Sequence, residues 1–451
     1  MSEWQVQKLS DVIEIIGGGT PKRSEERYWN GDIDWLSVAD FNNDFRFVTN
    51  SSEKITELGL KNSSTKLLQK GQLIISARGT VGCLAQLAKP MAFNQSCYGL
   101  NGIKDIIDND FLYYFLKHNI GILKSKTHGS VFDTITRDTF EHIEINFPNL
   151  DKQKEIAEIL GDFDKKIQLN TQTNQTLEAI AQAIFKSWFV DFDPVRAKAQ
   201  AILDGKTRDE ANLSAMAVIS GKTIEDLSQT EYQELWEIAD AFPSELVENI
   251  EFGEVPKGWE VRKIGEVLDT VGGATPSTKN NDFWENGDIY WTTPKDLSSL
   301  TDKILLDTER KITQAGLKKI SSGLLPVNTV LLSSRAPVGY LALAKTPVAI
   351  NQGYIAIKNS DILNCYYILQ WCVANMAKIK SRASGTTFAE ISKNTFREIS
   401  IIIPNQEILN IFKNKLESFY DQITKNAKEN INLSQTRDLL LPKLLSGEIE
   451  L

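Results

Sequence analysis

The chain is short of the residues that metal and redox chemistry use. Its four cysteines (Cys83, Cys97, Cys365 and Cys372) include no CxxC pair in 451 residues, so they offer neither a zinc spacing nor a disulfide framework. They are expected as reduced, buried small hydrophobes of a cytoplasmic protein. The three histidines, His118, His128 and His142, are scattered without a partner pattern. No apolar run approaches the roughly 20 residues that span a bilayer. No basic stretch followed by an apolar core opens the sequence, so neither a membrane span nor a signal peptide is expected.

Nucleotide and catalytic motifs are missing as well. Gly17-Gly18-Gly19-Thr20-Pro21-Lys22 lacks both the Gly-Lys-Ser/Thr ending of a P-loop and the GxGxxG spacing. Gly205-Lys206-Thr207 and Gly221-Lys222-Thr223 have Gln200 and Met216, not glycine, five residues before their glycines. A GxSxG elbow is absent, and so is the Asn-Pro-Pro-aromatic motif of an adenine methyltransferase. The sequence offers no catalytic constellation.

Charge is unevenly spread. The net charge is -9, which over a uniform surface would argue against nucleic acid. Residues 151–254, however, hold 10 basic and 21 acidic residues, while residues 255–404 hold 18 basic and 13 acidic ones. Most of the acidity falls between Arg196 and Glu254. That segment is not expected to face a phosphate backbone, whereas its flanks can.

What the sequence does contain is a repeat. "IIGGGTPKRSEERYWNGDIDW" from Ile15 returns as "TVGGATPSTKNNDFWENGDIYW" from Thr270. "WQVQKLSDV" from Trp4 answers "WEVRKIGEV" from Trp259, and "GQLIISARGTVG" ending at Gly82 answers "NTVLLSSRAPVG" ending at Gly339. Phe93-Asn94-Gln95 matches Ile350-Asn351-Gln352, and "GSVFDTITRDTF" from Gly129 matches "GTTFAEISKNTF" from Gly385. The offset stays between 255 and 257 residues. Each copy reads as a mixed α/β (α+β) unit: an opening strand, a Gly-rich loop, β-rich segments, one helix, and a last strand ending at Pro148 or Pro404.

A long helical pattern follows each of those prolines. The first has a seam at Ile156, Leu160, Phe163, Ile167, Asn170, Asn174, Leu177, Ala181, Ile184 and Trp188; the second runs from Leu409 through Phe412, Leu416, Phe419, Ile423, Asn426, Asn430 and Leu433 to Arg437 and Leu440. Steps of three and four alternate, which is coiled-coil spacing. Asn170 and Asn174 correspond to Asn426 and Asn430, and asparagine in a seam fixes register because a slipped Asn is left unpaired. Two α/β units separated by two long antiparallel coiled-coil helices with pseudo-twofold symmetry are expected. The predicted divisions are a first unit at 1–150, a spacer helix at 151–195, an acidic connection at 196–254, a second unit at 255–404 and a second spacer helix at 405–451.

Basic residues beside small hydroxyl and glycine residues suit phosphate contact. Lys22, Arg23, Arg78, Lys124, Lys126 and His128 make such a set in the first unit, with Gly18 and Thr20 of the glycine loop. Lys295, Arg335, Lys378, Lys380, Arg382 and Thr386 make it in the second.

The Gly-Gly-x-Thr-Pro loops, the Asn-Gln strands, "SWFVDFDPV" (Ser187 to Val195), "GEVPKGWEV" (Gly253 to Val261) and "RDLLLPKLLSGEI" (Arg437 to Ile449) together resemble the specificity subunit of type I restriction–modification enzymes. The resemblance covers essentially the whole chain, except that the acidic stretch matches only at its ends. It implies that each unit is a target recognition domain reading half of a bipartite, asymmetric sequence in double-stranded DNA. It further implies that two adenine-N6 methyltransferase subunits dock on the spacer and that restriction/translocase subunits join them. S-adenosylmethionine, ATP and magnesium then belong to those partners, with no cofactor, metal or catalytic residue in this chain.

The repeat also sorts the residues. Positions identical in both copies cannot distinguish two different half-sites, so Arg78 and Arg335 are phosphate contacts or internal salt bridges, and the Asn-Gln pairs are scaffold. Base reading is expected where the copies diverge: Lys22-Arg23 against Ser277-Thr278, Asp40 to Phe47 (with Arg46) against Pro294 to Lys303, and Lys124 to His128 against Lys378 to Ser384. Two other readings stand beside this one: a self-sufficient DNA methyltransferase or nuclease, and an adaptor whose paired heads bind protein.

Overall fold

The protein is described from a computed structural model covering residues 4–43, 45–125, 134–228, 231–385 and 389–451. Each copy of the repeat opens on a strand that the sequence closes much later. Gln5–Lys8 pairs antiparallel with Glu144–Phe147, and Glu260–Lys263 pairs with Ser400–Ile403. The first and last strands of each head are thus stitched together, which brings the start of the following helix back to the head's first residues.

Between these strands each head folds the same way. In the first, a five-stranded sheet runs in the order Ile13–Gly17, Cys97–Gly102, Leu73–Ser76, Leu84–Leu87, Phe47–Val48. In the second the order is Thr270–Val271, Tyr354–Ile357, Val330–Ser333, Leu341–Ala344, Ile304–Leu305. Neighbours are antiparallel except for the two-residue edge strand, which is parallel in both. Leu73, Ile74 and Ile75 are buried on both faces, as are Val330, Leu331 and Leu332, because a helix covers one side and a smaller sheet the other. That smaller sheet contains Trp29–Leu36 in the first head and Ile289–Thr292 in the second. Mostly antiparallel sheets with segregated helices make each head α+β.

The head helix differs between copies. Asn109–Ser125 is continuous, whereas the corresponding stretch breaks at Asn375 into Cys365–Ala374 and Met376–Ser381. Asn375 carries its side-chain amide back to the Trp371 carbonyl at 3.0 Å, but Asn119 does the same to Phe115 at 2.8 Å within the unbroken helix, so this bond does not account for the break.

The two long helices span Leu150–Phe189 and Gln406–Ser446. The first stops at Phe189, short of the predicted 195. The chain turns through Phe192, which has φ 56°, and a separate helix starts at Asp193-Pro194. By its contacts the chain divides into two units, residues 1–170 with 429–451 and residues 171–428. In each, the helices run antiparallel: Asp164 meets Arg437 in the first and Phe185 meets Phe412 in the second.

The seam register differs from the predicted one at alternate positions. Asp164, Thr171, Glu178 and Phe185 are buried, while Phe163, Leu177 and Ile184 are only half-buried. The apolar pattern pointed one residue early because two of the true seam residues are carboxylates, tolerated there by cationic partners, the buried Arg437 and the half-buried Lys303. The asparagines are where they were expected. Asn426 Nδ2 donates to Asn174 Oδ1 at 2.9 Å, and Asn170 Nδ2 donates to Asn430 Oδ1 at 2.9 Å. The 256-residue offset converts one pair into the other.

The acidic segment is an ordered helical subdomain. Helices Asp193–Leu203, Arg208–Ser220 and Gln233–Ala241 lead to a hairpin of Leu246–Asn249 and Gly253–Pro256. Ala215, Met216, Leu227 and Ala239 form a small core. Buried Lys198 closes the end of the third helix, donating to the carbonyls of Ala239 (2.9 Å) and Phe242 (2.7 Å), and burial lowers its ammonium to about 8.

Candidate nucleic-acid interface

The glycine loop is a lashed-down scaffold in both heads. A Cβ on Gly18 would lie 2.1 Å from the Asn94 carbonyl oxygen, and one on Gly273 would lie 1.9 Å from that of Ile350. Glycine is required there by close approach to the end of the strands Met91–Phe93 and Ala349–Ile350, not by a left-handed backbone; the Asn-Gln pairs lie in the turn after each strand rather than on it. Thr20 donates to Gln95 Oε1 and Thr275 to Gln352 Oε1. The indoles of Trp35 and Trp291 donate to the carbonyls of Gly19 (3.0 Å) and Ala274 (3.2 Å); those of Trp29 and Trp284 donate to Lys22 (3.3 Å) and Ser277 (3.0 Å). Gly18 and Thr20 therefore shape the surface rather than present a side chain to a partner.

Beside this scaffold each head raises an arginine on a serine-pinned loop. Ser76 Oγ donates to the Thr80 carbonyl (2.5 Å) and accepts from the Cys83 amide (2.8 Å). Ser333 does the same with the Pro337 carbonyl (2.8 Å) and the Tyr340 amide (2.8 Å). Arg78 and Arg335 project from these loops. Arg78 is exposed, and no ion pair to it is found among the described residues. Arg335 approaches Glu390 only at 3.9 Å, too far for a strong pair at a wet surface.

The loop and the end of the head helix come together. A Cβ on Gly82 would stand 2.6 Å from Lys124 Cε, and a Cβ on Gly339 would stand 2.6 Å from Lys380 Cε. Both glycines lie in the left-handed region, at φ 84° and 113°, and their missing Cβ leaves room for the lysine stem across the loop. Both heads thereby gather an arginine and a lysine from distant sequence positions, with Lys295 lining the same cleft as Arg335, Tyr340 and Asn351 in the second. Cation fork, ammonium and open backbone are the parts a phosphate contact uses.

Other predicted residues have different surroundings. Arg46 is buried, with Nε donating to Gln86 (2.9 Å), Nη1 to Tyr114 Oη (3.1 Å), and Nη2 lying 2.8 Å from Asp110. Lys303 occupies the same place in the other head, just before the edge strand, and is paired with Glu178 of the first long helix. These two hold a head to a helix and are not surface readers. Their charge was legible in the sequence, but the burial of Arg46 and the pairing of Lys303 with a distant helix carboxylate were not. Arg23 is held by both nitrogens on Glu53, with Nη2 2.9 Å from Oε2. Lys295 pairs with Glu309 (2.8 Å) and Lys378 with Glu251 (3.3 Å). Lys22, Ser277, Thr278 and Arg382 are exposed; Lys126, His128 and Thr386 lie outside the described residues.

The sequence reading missed the buried carboxylates of the seam. Tyr114 donates to Asp164 Oδ2 at 2.6 Å, and Arg437 pairs with the other oxygen of the same group. Burial pushes the Tyr114 phenol far up. Among the described residues no group of three or more His, Cys, Asp or Glu is placed to hold a metal, and no helix is long and apolar enough to cross a membrane.

Comparison with known families settles what these paired heads are. The family model described as the type I restriction modification DNA specificity domain matches twice, at residues 1–179 and 256–433. The chain belongs to the type I restriction–modification DNA specificity family. It is 38% identical over 357 residues, 76% of each chain, to the Type I restriction enzyme HindI specificity subunit of Haemophilus influenzae. It is 27% identical to the MjaIX specificity subunit of Methanocaldococcus jannaschii, across 99% of this chain and 94% of the relative. The crystal structure of a type I restriction–modification S subunit from M. genitalium shares its fold, with a TM-score of 0.53 at 14% identity and coverage of 98% and 96%. As a specificity subunit the chain recognises DNA targets and is non-catalytic, working within a larger restriction–modification complex. Both family matches run from a head into the following helix, which agrees with the stitching of each head's first and last strands.

Proposed function

We propose that each head reads one half of a bipartite, asymmetric double-stranded DNA sequence, and that the long helices carry two adenine-N6 methyltransferase subunits, with restriction/translocase subunits joining for cleavage. The observation that carries this reading is the duplicated Ser-Arg loop with a lysine laid across it, surrounded by loops that differ between heads. The common parts supply sequence-independent phosphate contacts; the divergent ones supply base discrimination. In this reading S-adenosylmethionine, ATP and magnesium are bound by the partner subunits.

Duplex binding by the assembled complex tests it. Affinity should fall steeply with salt, as each neutralised phosphate releases condensed counterions. Arg78→Ala and Arg335→Ala should each weaken binding for all sequences alike and lower the salt slope by about one. Binding that is indifferent to salt and to both substitutions would point to protein-binding heads instead.

A further inference from the structure

The two heads share an aromatic platform but supply its cation from different chain positions. In the first head Trp29 and Trp35 meet edge to face at 5.2 Å, and the Arg23 guanidinium lies 4.0 Å from the Trp29 ring centre. In the second, Trp284 and Trp291 meet at 5.0 Å, and Arg310 lies 3.6 Å from the Trp284 ring centre. Arg23 comes from the glycine loop, where the second copy has Ser277-Thr278. Arg310 comes from the strand Arg310–Ile312, whose counterpart Glu53–Ile55 begins with Glu53. One strand position thus carries the cation in one head and the carboxylate that binds the cation in the other.

The consequence is electrostatic. Arg23 has both terminal nitrogens on Glu53, and this hydrogen-bonded pairing holds the Glu53 carboxyl below its usual range. Its fork is spent. Arg310 is exposed, and among the described residues its side chain has neither hydrogen bond nor ion pair. Stacking on an indole face fixes a guanidinium in a plane while leaving its in-plane N–H donors open. Lys311, 4.6 Å from the Tyr290 ring centre, follows it on the same strand. A pre-oriented, unneutralised fork on a rigid platform suits the paired acceptors of a guanine edge or a phosphate.

We propose that Arg310 is a DNA-contacting, specificity-determining residue of the second head, displayed on the Trp284–Trp291 platform, and that Glu53 keeps the equivalent guanidinium, Arg23, out of DNA contact in the first. This rests on the heads reading DNA and goes beyond it by assigning unequal roles to a shared platform.

The test uses the full chain in its assembled complex, titrated with its target duplex and with duplexes substituted one base pair at a time. Arg310→Met keeps an apolar cover on Trp284 but removes the charge, and should weaken target binding by about ten- to a hundredfold. Arg310→Lys keeps the charge without the fork; it should retain the salt dependence and lose discrimination at one base pair. Glu53→Gln frees Arg23 and should tighten binding several-fold, with a salt slope about one unit steeper. The proposal is overturned if Arg310→Met and Glu53→Gln both bind within twofold of the parent with unchanged base preference while Arg335→Ala still weakens binding. If Arg335→Ala and Arg78→Ala are silent as well, the DNA-reading role of the heads fails with it.

Discussion

Matched positions at the junction between head and helix hold an ion-paired network in one unit and stacked rings in the other. In the first, the exposed Asp110 and the buried Arg46, Tyr114, Asp164 and Arg437 form a chain of polar contacts. In the second, the positions that answer Tyr114 and Asp164 are Gln370 and Tyr420, joined by one hydrogen bond of 2.9 Å. Tyr420 stacks on Tyr366 at 5.4 Å, and Phe412 touches Phe185, Trp188, Phe189 and Tyr367. At these matched positions the same docking is achieved by swapping the polar partner between head and helix and by setting rings where the first unit has an ion pair, while the second unit's own head–helix pair, Lys303 with Glu178, lies elsewhere. What the duplication preserves is the contact, not its chemistry. The Ser-Arg loops behave oppositely: the serine, its two hydrogen bonds and the arginine recur in both heads, which is the pattern expected of parts that meet an invariant ligand.

The comparison can be broken first at its aromatic side. Phe412→Ala empties the centre of a five-ring cluster and should cost about 3–5 kcal/mol in denaturant unfolding, through lost burial and a cavity. On the charged side, Asp164→Ala leaves buried Arg437 with the exposed Asp438 as its carboxylate partner and should cost about 2–3 kcal/mol. Pairing Asp164→Leu with Arg437→Met should restore most of that loss, because removing both charges also removes the desolvation each one pays. A double variant no more stable than Asp164→Ala would mean that the network supplies more than the second unit's apolar contacts can.

Much of this was legible in the sequence. The repeat gave two heads with common strands, and the alternating three and four spacing gave two long helices with their paired asparagines. What escaped depended on partners far along the chain. Asp164 and Glu178 broke the apolar pattern and so shifted the seam by one residue at alternate positions. Arg46 and Lys303 read as surface cations because nothing local reveals that an edge strand covers one and a helix carboxylate meets the other. Phe192, a non-glycine residue in the left-handed region, ended the first helix where periodicity alone ran on. The platform cation was hidden because the copies draw it from different positions.

A pH effect sharpens the comparison more gently. Burial raises the Asp302 carboxyl in the second unit to about 6; Glu178 adds to the rise, while the hydrogen bond from Asn174 (3.0 Å) and the charge of Lys303 oppose it. The folded state holds this proton more tightly than the unfolded chain, whose carboxyl titrates near 4. The stability it confers is full below about pH 4 and is lost as pH rises through 6. Asp302→Asn should therefore match the parent in acid and exceed it near neutrality, measured by denaturant unfolding across that range.

The central claim is that the two heads read independent halves of one target on a common scaffold. The direct test exchanges residues 1–150 for the first head of a relative with a different target and maps the modified sequence in cells carrying the complete system. The account predicts that one half of the recognised sequence changes to the donor's while the other half stays. A sequence left unchanged, or altered in both halves, would contradict it.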